Sequence, residues 1–447
     1  MGLGSKRVAF HTLGCKVNQV ETQALRDDFL QRGWQVMAFH EAADVYIVNS
    51  CTVTHVSDRK SRAMLRRAAA RQPGALVVLV GCMAGTSLDD REIPEAVGLI
   101  IANRDKPRTA ELVEQWLMQR SGRCEHYLLP PENGDHLEGQ LHRHRYERSR
   151  AFLKIQDGCE NFCSYCIVPY VRGPVRSKLP EEVLTELEQL LDLGYHEIVL
   201  TGIHTGHYGL DLPDWDLGRL LEFLLPRLPH YCRLRLSSIE PTDFHPRLVE
   251  ILTGSSVICR HFHIPLQSGS DHILASMRRP YRRKDYITLI EQLDGARSGT
   301  AFTADVMVGY PGETESDFLD THQLLLDLPI SDLHVFKYSR RAGTVAAAMG
   351  QQLTAEQKAK RSQCLIELGR QQRRAFIDGQ QGQQLEVVLE QFTTSDRWVG
   401  LSDNYIELLL EGLHVDAALP GELRTTVLEG LDPSGQLGRG RILDNWD

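Results

Sequence analysis

Six of the ten cysteines in this 447-residue chain fall into two triplets whose spacing carries chemical meaning. Cys159, Cys163 and Cys166 lie within eight residues, in KIQDGCENFCSYCIVPYVRGPVRSK. Three thiolates this close can wrap a cubane iron–sulfur cluster and leave one iron without a protein ligand. Electron-transfer ferredoxins use four cysteines, so the missing ligand points to a small molecule on iron. The bland alternatives are three unrelated loop thiols or part of a zinc knuckle. The second triplet, Cys15, Cys51 and Cys82, is spaced by 36 and 31 residues. Three small buried residues at strand ends would explain it without chemistry. A structural zinc would need a fourth ligand, from His11 or His55. Three thiolates alone suit a second cubane with one iron left open.

The elements around these residues predict why the second triplet converges. VAFHTLG, VYIVNS and LVVLVG are strand-like runs that each end at a cysteine, with helical patterns ETQALRDDFLQRG and SDRKSRAMLRRAAARQ between them. The intervals match βαβ units. Parallel strands bring their carboxyl ends to one edge, where open α/β sheets bind ligands. After Cys166, helical and strand patterns alternate again, from LPEEVLTELEQLLDLG and EIVLTGI to SDLHVFKYS, which predicts a further parallel sheet. Beyond residue 380 the period changes to two, with Gly-rich turns, and predicts a small all-β barrel.

Composition sets the outer limits. The net charge of −9 excludes a globally basic nucleic-acid coat, though not local basic patches. No apolar run reaches the roughly 18 to 20 residues that span a bilayer, and the first residues lack a signal-peptide pattern. A cytoplasmic protein with no membrane partner is expected, in which cysteines stay reduced or hold metal.

The C-x3-C-x2-C spacing, with Tyr165 before the last cysteine, resembles the radical S-adenosylmethionine (SAM) enzymes. With Cys15, Cys51 and Cys82 upstream, the chain resembles the methylthiotransferases among them over essentially its whole length. GCKVNQVET at Gly14 and NSCTVTHVSDRKSR at Asn49 are most similar to the branch that acts on N6-threonylcarbamoyladenosine in tRNA, whereas GCMAG at Gly81 departs from the aromatic common after the third cysteine. The resemblance implies two [4Fe-4S] clusters. SAM would chelate the open iron on Cys159, Cys163 and Cys166, and its reductive cleavage would give a radical able to take hydrogen from an aromatic C–H. The cluster on Cys15, Cys51 and Cys82 would carry the sulfur to be inserted, and a further SAM the methyl. The resemblance further implies a one-electron donor of flavodoxin or ferredoxin type, and no catalytic residues beyond the cluster ligands.

It also implies an architecture: a parallel α/β amino-terminal domain at 1–118, a linker at 119–144, a radical-SAM (β/α)6 partial barrel at 145–375 and an OB-like TRAM barrel at 378–445. Within the partial barrel, TGIHTG, SSIEP, PLQSGS and VGYPGET fall at strand ends. SAM contacts are expected from Tyr165, Thr201, Gly202 and Gln267.

Contact with a tRNA anticodon stem-loop would need basic surface, because phosphates dominate such binding. Arg59, Arg62 and Arg66 share a helical face after Cys51. Arg278, Arg279, Arg282 and Arg283 follow the PLQSGS turn, and HRHRYERSR runs from His142 to Arg150. Any one such run is as readily a solvated face. Residues 381–447 carry four Arg and no Lys against twelve Asp plus Glu, a poor surface for gripping phosphate. Two other readings stand beside this one. One is a radical-SAM methylase whose second cluster relays electrons, the other an iron–sulfur redox sensor on RNA. A sister methylthiotransferase, acting on isopentenyl-adenosine or a ribosomal-protein aspartate, is the nearest variant of the main reading.

Overall fold

The computed structural model describes residues 6–86, 93–119, 124–135, 137–140, 142, 144–145, 148–393, 396–413 and 418–443. The described residues fold as two compact units. The first takes those within 1–143, 156–179 and 339–347, the second those within 144–155, 180–338 and 348–447.

The first unit is built on six parallel strands, β1 (Arg7–Thr12), β2 (Gln35–Met37), β3 (Val45–Ser50), β4 (Leu76–Gly81), β5 (Val97–Ile101) and β6 (Glu125–Tyr127). Their order is β2-β1-β3-β4-β5-β6. Helices α1 (Lys16–Gln31), α2 (His55–Arg71) and α3 (Thr109–Gln119) complete the crossovers. β3 and β4 are buried at every residue, which explains their continuous apolar runs. Alternate residues feed two cores: Val8, Ile47, Val78 and Leu99 pack with α1 and α3, and Ala9, Val48, Leu79 and Ile100 with Leu65 and Ala68 of α2.

The chain then gives β7 (Ala151–Lys154) to the second unit. It returns to the first for a short antiparallel pair, β8 (Gln156–Asp157) and β9 (Arg176–Ser177), which encloses the cysteine loop and α4 (Val168–Arg172). Thus the Cys159–Cys166 loop packs with the amino-terminal sheet, and so does the distant segment 339–347. Sequence order alone would assign both to the central domain.

The second unit continues with α5 (Pro180–Asp192), β10 (Glu197–Thr201), α6 (Leu217–Leu224), β11 (Arg233–Leu236), α7 (Pro246–Gly254), β12 (His261–His263), α8 (Asp271–Ser276), α9 (Arg283–Ala296), β13 (Ala301–Val308), α10 (Glu315–Asp327) and β14 (Ile330–Lys337). The strands pair in parallel as β11-β10-β7 and β12-β13-β14, and a parallel bridge from Leu234 to Ile258 joins the two sets. The parallel sheet agrees with the alternating pattern, and its six strands with the partial barrel that the resemblance implied. After α11 (Val345–Ala348) and α12 (Ala355–Gly379), strands β15 (Gln384–Phe392), β16 (Trp398–Ser402), β17 (Glu407–Glu411), β18 (Leu423–Leu431) and β19 (Gly438–Ile442) close an OB-like barrel in the order β15-β16-β17-β19-β18.

A buried carboxylate joins the arc to the closed barrel. Glu197 lies 2.6 Å from Arg233 and 2.7 Å from Arg235. Arg233 also donates to the carbonyls of Glu386 and Leu401, and Arg235 to those of Ser402 and Asp403. Arg150 pairs with Glu197 and Glu390, and Arg145 donates to the carbonyl of Pro420. The basic stretch from His142 to Arg150 is therefore largely a structural seam rather than a phosphate track. Its Arg143, Tyr146 and Glu147 lie outside the described residues.

Burial disfavours a charge on Glu197, but Arg235, Arg233 and Arg150 hold its carboxyl far below the usual range. Its contribution to stability is then full above the ordinary glutamate pKa of about 4.3 and is lost as pH falls below it. Removing one partner of a buried ion pair costs roughly 3–5 kcal/mol. Glu197→Gln should cost about that much in denaturant unfolding at pH 7, and the difference from wild type should shrink on acidification. Equal stability at pH 7 would mean that packing alone holds the seam.

Candidate functional site

The amino-terminal cysteines emerge at the carboxyl ends of three adjacent strands. Cys15 is the N-cap of α1 after β1, Cys51 directly follows β3, and Cys82 directly follows β4. Gly14 sits in the left-handed region at φ +100, and a Cβ there would lie 2.7 Å from Cys51 Cβ and 3.0 Å from its Sγ. Only glycine lets the two turns approach so closely. Gly81, at φ +97, likewise leaves room for Asn49 Oδ1.

Polar residues beside the cysteines tie the strand ends together. Asn18 Nδ2 donates to the carbonyls of Leu13 and Ser50, at 2.7 and 2.9 Å. Asn49 Nδ2 donates to the Asn18 carbonyl and to Thr22 Oγ1. Ser50 Oγ donates to the Val80 carbonyl and accepts from the Met83 N–H. Burial pushes the Cys51 thiol up, and the neighbouring Cys82 and Cys15 add to that shift. Two groups among the described residues bring three ligand atoms within 4.8 Å of one another, and neither contains a cysteine. A single zinc holds thiolates about 4 Å apart. A cubane, whose thiolates bind different irons, accepts a wider spread of sulfurs than a single zinc does.

The triplet of Cys159, Cys163 and Cys166 is held against this same edge. Cys159 N–H donates to the Gly173 carbonyl and Cys166 N–H to the Cys163 carbonyl. Gly158, at φ +78, would put a Cβ 1.7 Å from the Pro174 carbonyl oxygen, so the turn before Cys159 admits no side chain. Cys82 packs with Ile167 and Val171, and Asn103 Nδ2 donates to the Val171 carbonyl at 2.8 Å while lying 3.8 Å from Cys82 Sγ.

Arg172 joins the two triplets. Its side chain is 1 % exposed and donates to Asn18 Oδ1 at 2.6 Å, Glu21 Oε1 at 2.8 Å and Asp157 Oδ1 at 3.0 Å. Lys106, equally buried, reaches Glu21 at 2.5 Å. Burial opposes the Arg172 charge, but Asp157, Cys82, Glu21 and Cys15 outweigh it and keep the guanidinium protonated. Burial lowers the Lys106 pKa despite Glu21. A second clamp comes from 339–347. Arg341 donates to Asp58 Oδ2 at 2.6 Å and Thr52 Oγ1 at 2.7 Å, Ser339 Oγ accepts from the His55 N–H, and Ala346 N–H donates to the Ser164 carbonyl. One short segment thus touches the loops after Cys51 and after Cys163.

The remaining expected site residues are scattered. Tyr165 is half-buried in the cysteine loop. Thr201 is buried at the end of β10, followed by Gly202. Gln267, at φ +61 after β12, is held by hydrogen bonds from its N–H to the Asp305 carbonyl and from Met307 N–H to its own carbonyl. Arg59 and Arg66 are exposed on α2, and Arg62 is half-buried there. Arg278 and Arg282 are exposed, whereas Arg283 donates to the carbonyls of Gly269 and Asp320. Arg279 must be withdrawn as a phosphate ligand: its side chain is 2 % exposed and paired with Glu240 under Tyr281. Sequence reasoning missed Arg172, Lys106 and Arg341. The only signal for Arg172 was a charge inside the otherwise apolar VPYVRGPV run.

Residues 153–325 match the Radical SAM superfamily, and residues 7–99 match the Uncharacterized protein family UPF0004. The threonylcarbamoyladenosine tRNA methylthiotransferase MtaB of Bacillus subtilis is 39% identical over 91% of this chain and 90% of its own length. Its namesake in Aquifex aeolicus is 34% identical over 91% and 97%. The tRNA-2-methylthio-N(6)-dimethylallyladenosine synthase of Methylacidiphilum infernorum is 32% identical over 98% and 91%. Among solved structures, the radical SAM methyltransferase TsrM of Kitasatospora setae shares the fold, with a TM-score of 0.59 at 15% identity over 77% of this chain and 74% of that one. With relatives this similar over nearly its full length, the chain belongs to the family of radical-SAM tRNA methylthiotransferases.

Proposed function

We propose that the chain converts N6-threonylcarbamoyladenosine at position 37 of tRNA into its 2-methylthio derivative. The observation that carries this reading is the meeting of two cysteine triplets in one compact unit, around the buried Arg172. The names of the Bacillus and Aquifex relatives point to the same nucleoside.

Cys159, Cys163 and Cys166 hold the [4Fe-4S] cluster that takes SAM, and Cys15, Cys51 and Cys82 hold a second one. Bound there, these groups supply radical hydrogen abstraction, the sulfur and the methyl. The chain positions them and sets their surroundings. Gly14 and Gly158 make room for the thiol loops, and Asn18, Asn49 and Ser50 lock the strand ends. Arg172 and Lys106 place positive charge where thiolates bring negative charge. Tyr165, Thr201, Gly202 and Gln267 contact SAM. The exposed face of α2, with Arg59, Arg62 and Arg66, grips anticodon-stem phosphates, aided by Arg278, Arg282 and Arg283. The closed barrel at 378–445, of which 394–395, 414–417 and 444–445 lie outside the described residues, is a TRAM domain of acidic composition. Electrons come from a flavodoxin- or ferredoxin-type donor in the cytoplasm. No helix among the described residues is long and apolar enough to cross a membrane.

Anaerobic reconstitution should give about eight irons per chain, from two cubanes. Changing Cys159, Cys163 and Cys166 together to Ala should halve that count and abolish reductive SAM cleavage. The triple change at Cys15, Cys51 and Cys82 should halve it and leave cleavage detectable. Full iron content in the latter variant would remove the second cluster.

Gly14→Ala should act like the amino-terminal triple change, because its Cβ would collide with Cys51 in a left-handed backbone. Iron analysis and SAM cleavage check this, and unchanged iron would mean that the strand ends can part at no cost to the cluster.

Changing Arg59, Arg62 and Arg66 to Gln should weaken tRNA binding at low salt, with iron and SAM cleavage retained. The salt slope should fall by about 0.9 for each phosphate that the protein no longer neutralises. Wild-type affinity and salt slope would make the α2 face mere solvated surface.

A further inference from the structure

We propose that His263, Asp305 and His334 form a binding site for one divalent transition-metal ion of the zinc class, built from none of the six triplet cysteines. The three side chains come from adjacent parallel strands, β12, β13 and β14. Their neighbours Phe262, Ala304 and Leu333 are buried in the core, so strand alternation puts the trio on the opposite face of the arc.

The metric is that of a coordination site. Asp305 Oδ1 lies 3.2 Å from His263 Nε2 and 3.3 Å from His334 Nδ1, and the three ligand atoms all fall within 4.8 Å of one another. Ligand atoms bound at about 2 Å to one tetrahedral ion are roughly 3.3 Å apart, and the ring centroids of two such imidazoles are about 5 Å apart. The His263 and His334 centroids are 5.1 Å apart, with planes 29° from parallel. A second cluster, His204, His207 and Asp243, fails this comparison, because its two imidazoles stack face to face with centroids at 3.4 Å. Rings stacked so closely cannot aim in-plane lone pairs at one ion.

The surroundings support the same assignment. Thr303 Oγ1 lies 2.8 Å from His263 Nδ1, the outer hydrogen bond that fixes the tautomer of a metal-ligating imidazole. The same hydroxyl lies 3.0 Å from His261 Nε2, and the His261 ring is stacked on Tyr405 at 4.0 Å. Exposure rises from 13 % at His263 through 25 % at Asp305 to 48 % at His334, so an ion can enter from the His334 side. Two imidazoles and one carboxylate leave a fourth position for water or an oxygen donor.

The test uses protein whose iron–sulfur sites have first been reconstituted, so that iron analysis reports on the cysteines. After equilibrium dialysis against micromolar zinc chloride, metal is counted in wild type, Asp305→Asn and His334→Ala. His334 is half-exposed, and its variant is expected to fold. Wild type should retain one zinc with full iron, and each variant should bind it at least tenfold more weakly at the same iron content. Equal zinc retention in all three proteins overturns the site, as does zinc uptake by wild type only at the expense of iron. If the variants change tRNA binding while wild type takes up no zinc, the trio is a polar nucleic-acid contact and the metal assignment is wrong.

Discussion

One buried guanidinium sets the geometry on which the rest depends. Arg172 has no access to water, so its donors must be satisfied by fixed acceptors, and those acceptors sit on the segments that carry the cysteines. Asn18 and Glu21 lie in the first turns of α1, just after Cys15, and Asp157 lies two residues before Cys159. An uncompensated buried charge is expensive. The cysteine loop therefore cannot leave the amino-terminal sheet without taking the buried Arg172 away from Asn18 and Glu21. Asn18 passes the constraint on, since its side chain also fixes the carbonyls of Leu13 and Ser50.

The same positive charge suits the chemistry. Thiolate-ligated clusters are anionic, and the buried guanidinium of Arg172, whose charge is favoured by Cys82 and Cys15 as well as by Asp157 and Glu21, lowers the cost of holding such charge out of water. The clamp by 339–347 works differently, through hydrogen bonds from a segment that is otherwise a connection between β14 and α12. It links Thr52 and Asp58 to Ser164, so the turns that follow Cys51 and Cys163 share a support. In the second unit, Glu197 plays the corresponding part, with carbonyls of the closed barrel completing the donors of Arg233 and Arg235.

Much of this was legible in the sequence where period and spacing carry the information. VYIVNS and LVVLVG read as strands because both faces of β3 and β4 are buried, and the cysteines at their ends had to share an edge. The change from alternating elements to period two marked off the closed barrel, whereas the alternation predicted only a further parallel sheet and the resemblance supplied the partial barrel. What stayed hidden was long-range polar pairing. Asn18 and Glu21 look like part of the wet face of α1 yet are buried, because Arg172 and the cysteine loop cover them. Arg279 looked like one more charge in a basic run, and only the fold brings Glu240 to it. His263, Asp305 and His334 are far apart in sequence and meet only through parallel pairing of short strands.

The most direct test is the reaction itself. Protein reconstituted with iron and sulfide would be given SAM, a low-potential reductant and tRNA bearing N6-threonylcarbamoyladenosine, and the nucleosides analysed by mass spectrometry. The expected product is the 2-methylthio derivative of that nucleoside, with no conversion of isopentenyl-adenosine in a matched tRNA. A product carrying methyl without sulfur, or conversion of the isopentenyl nucleoside alone, would contradict it.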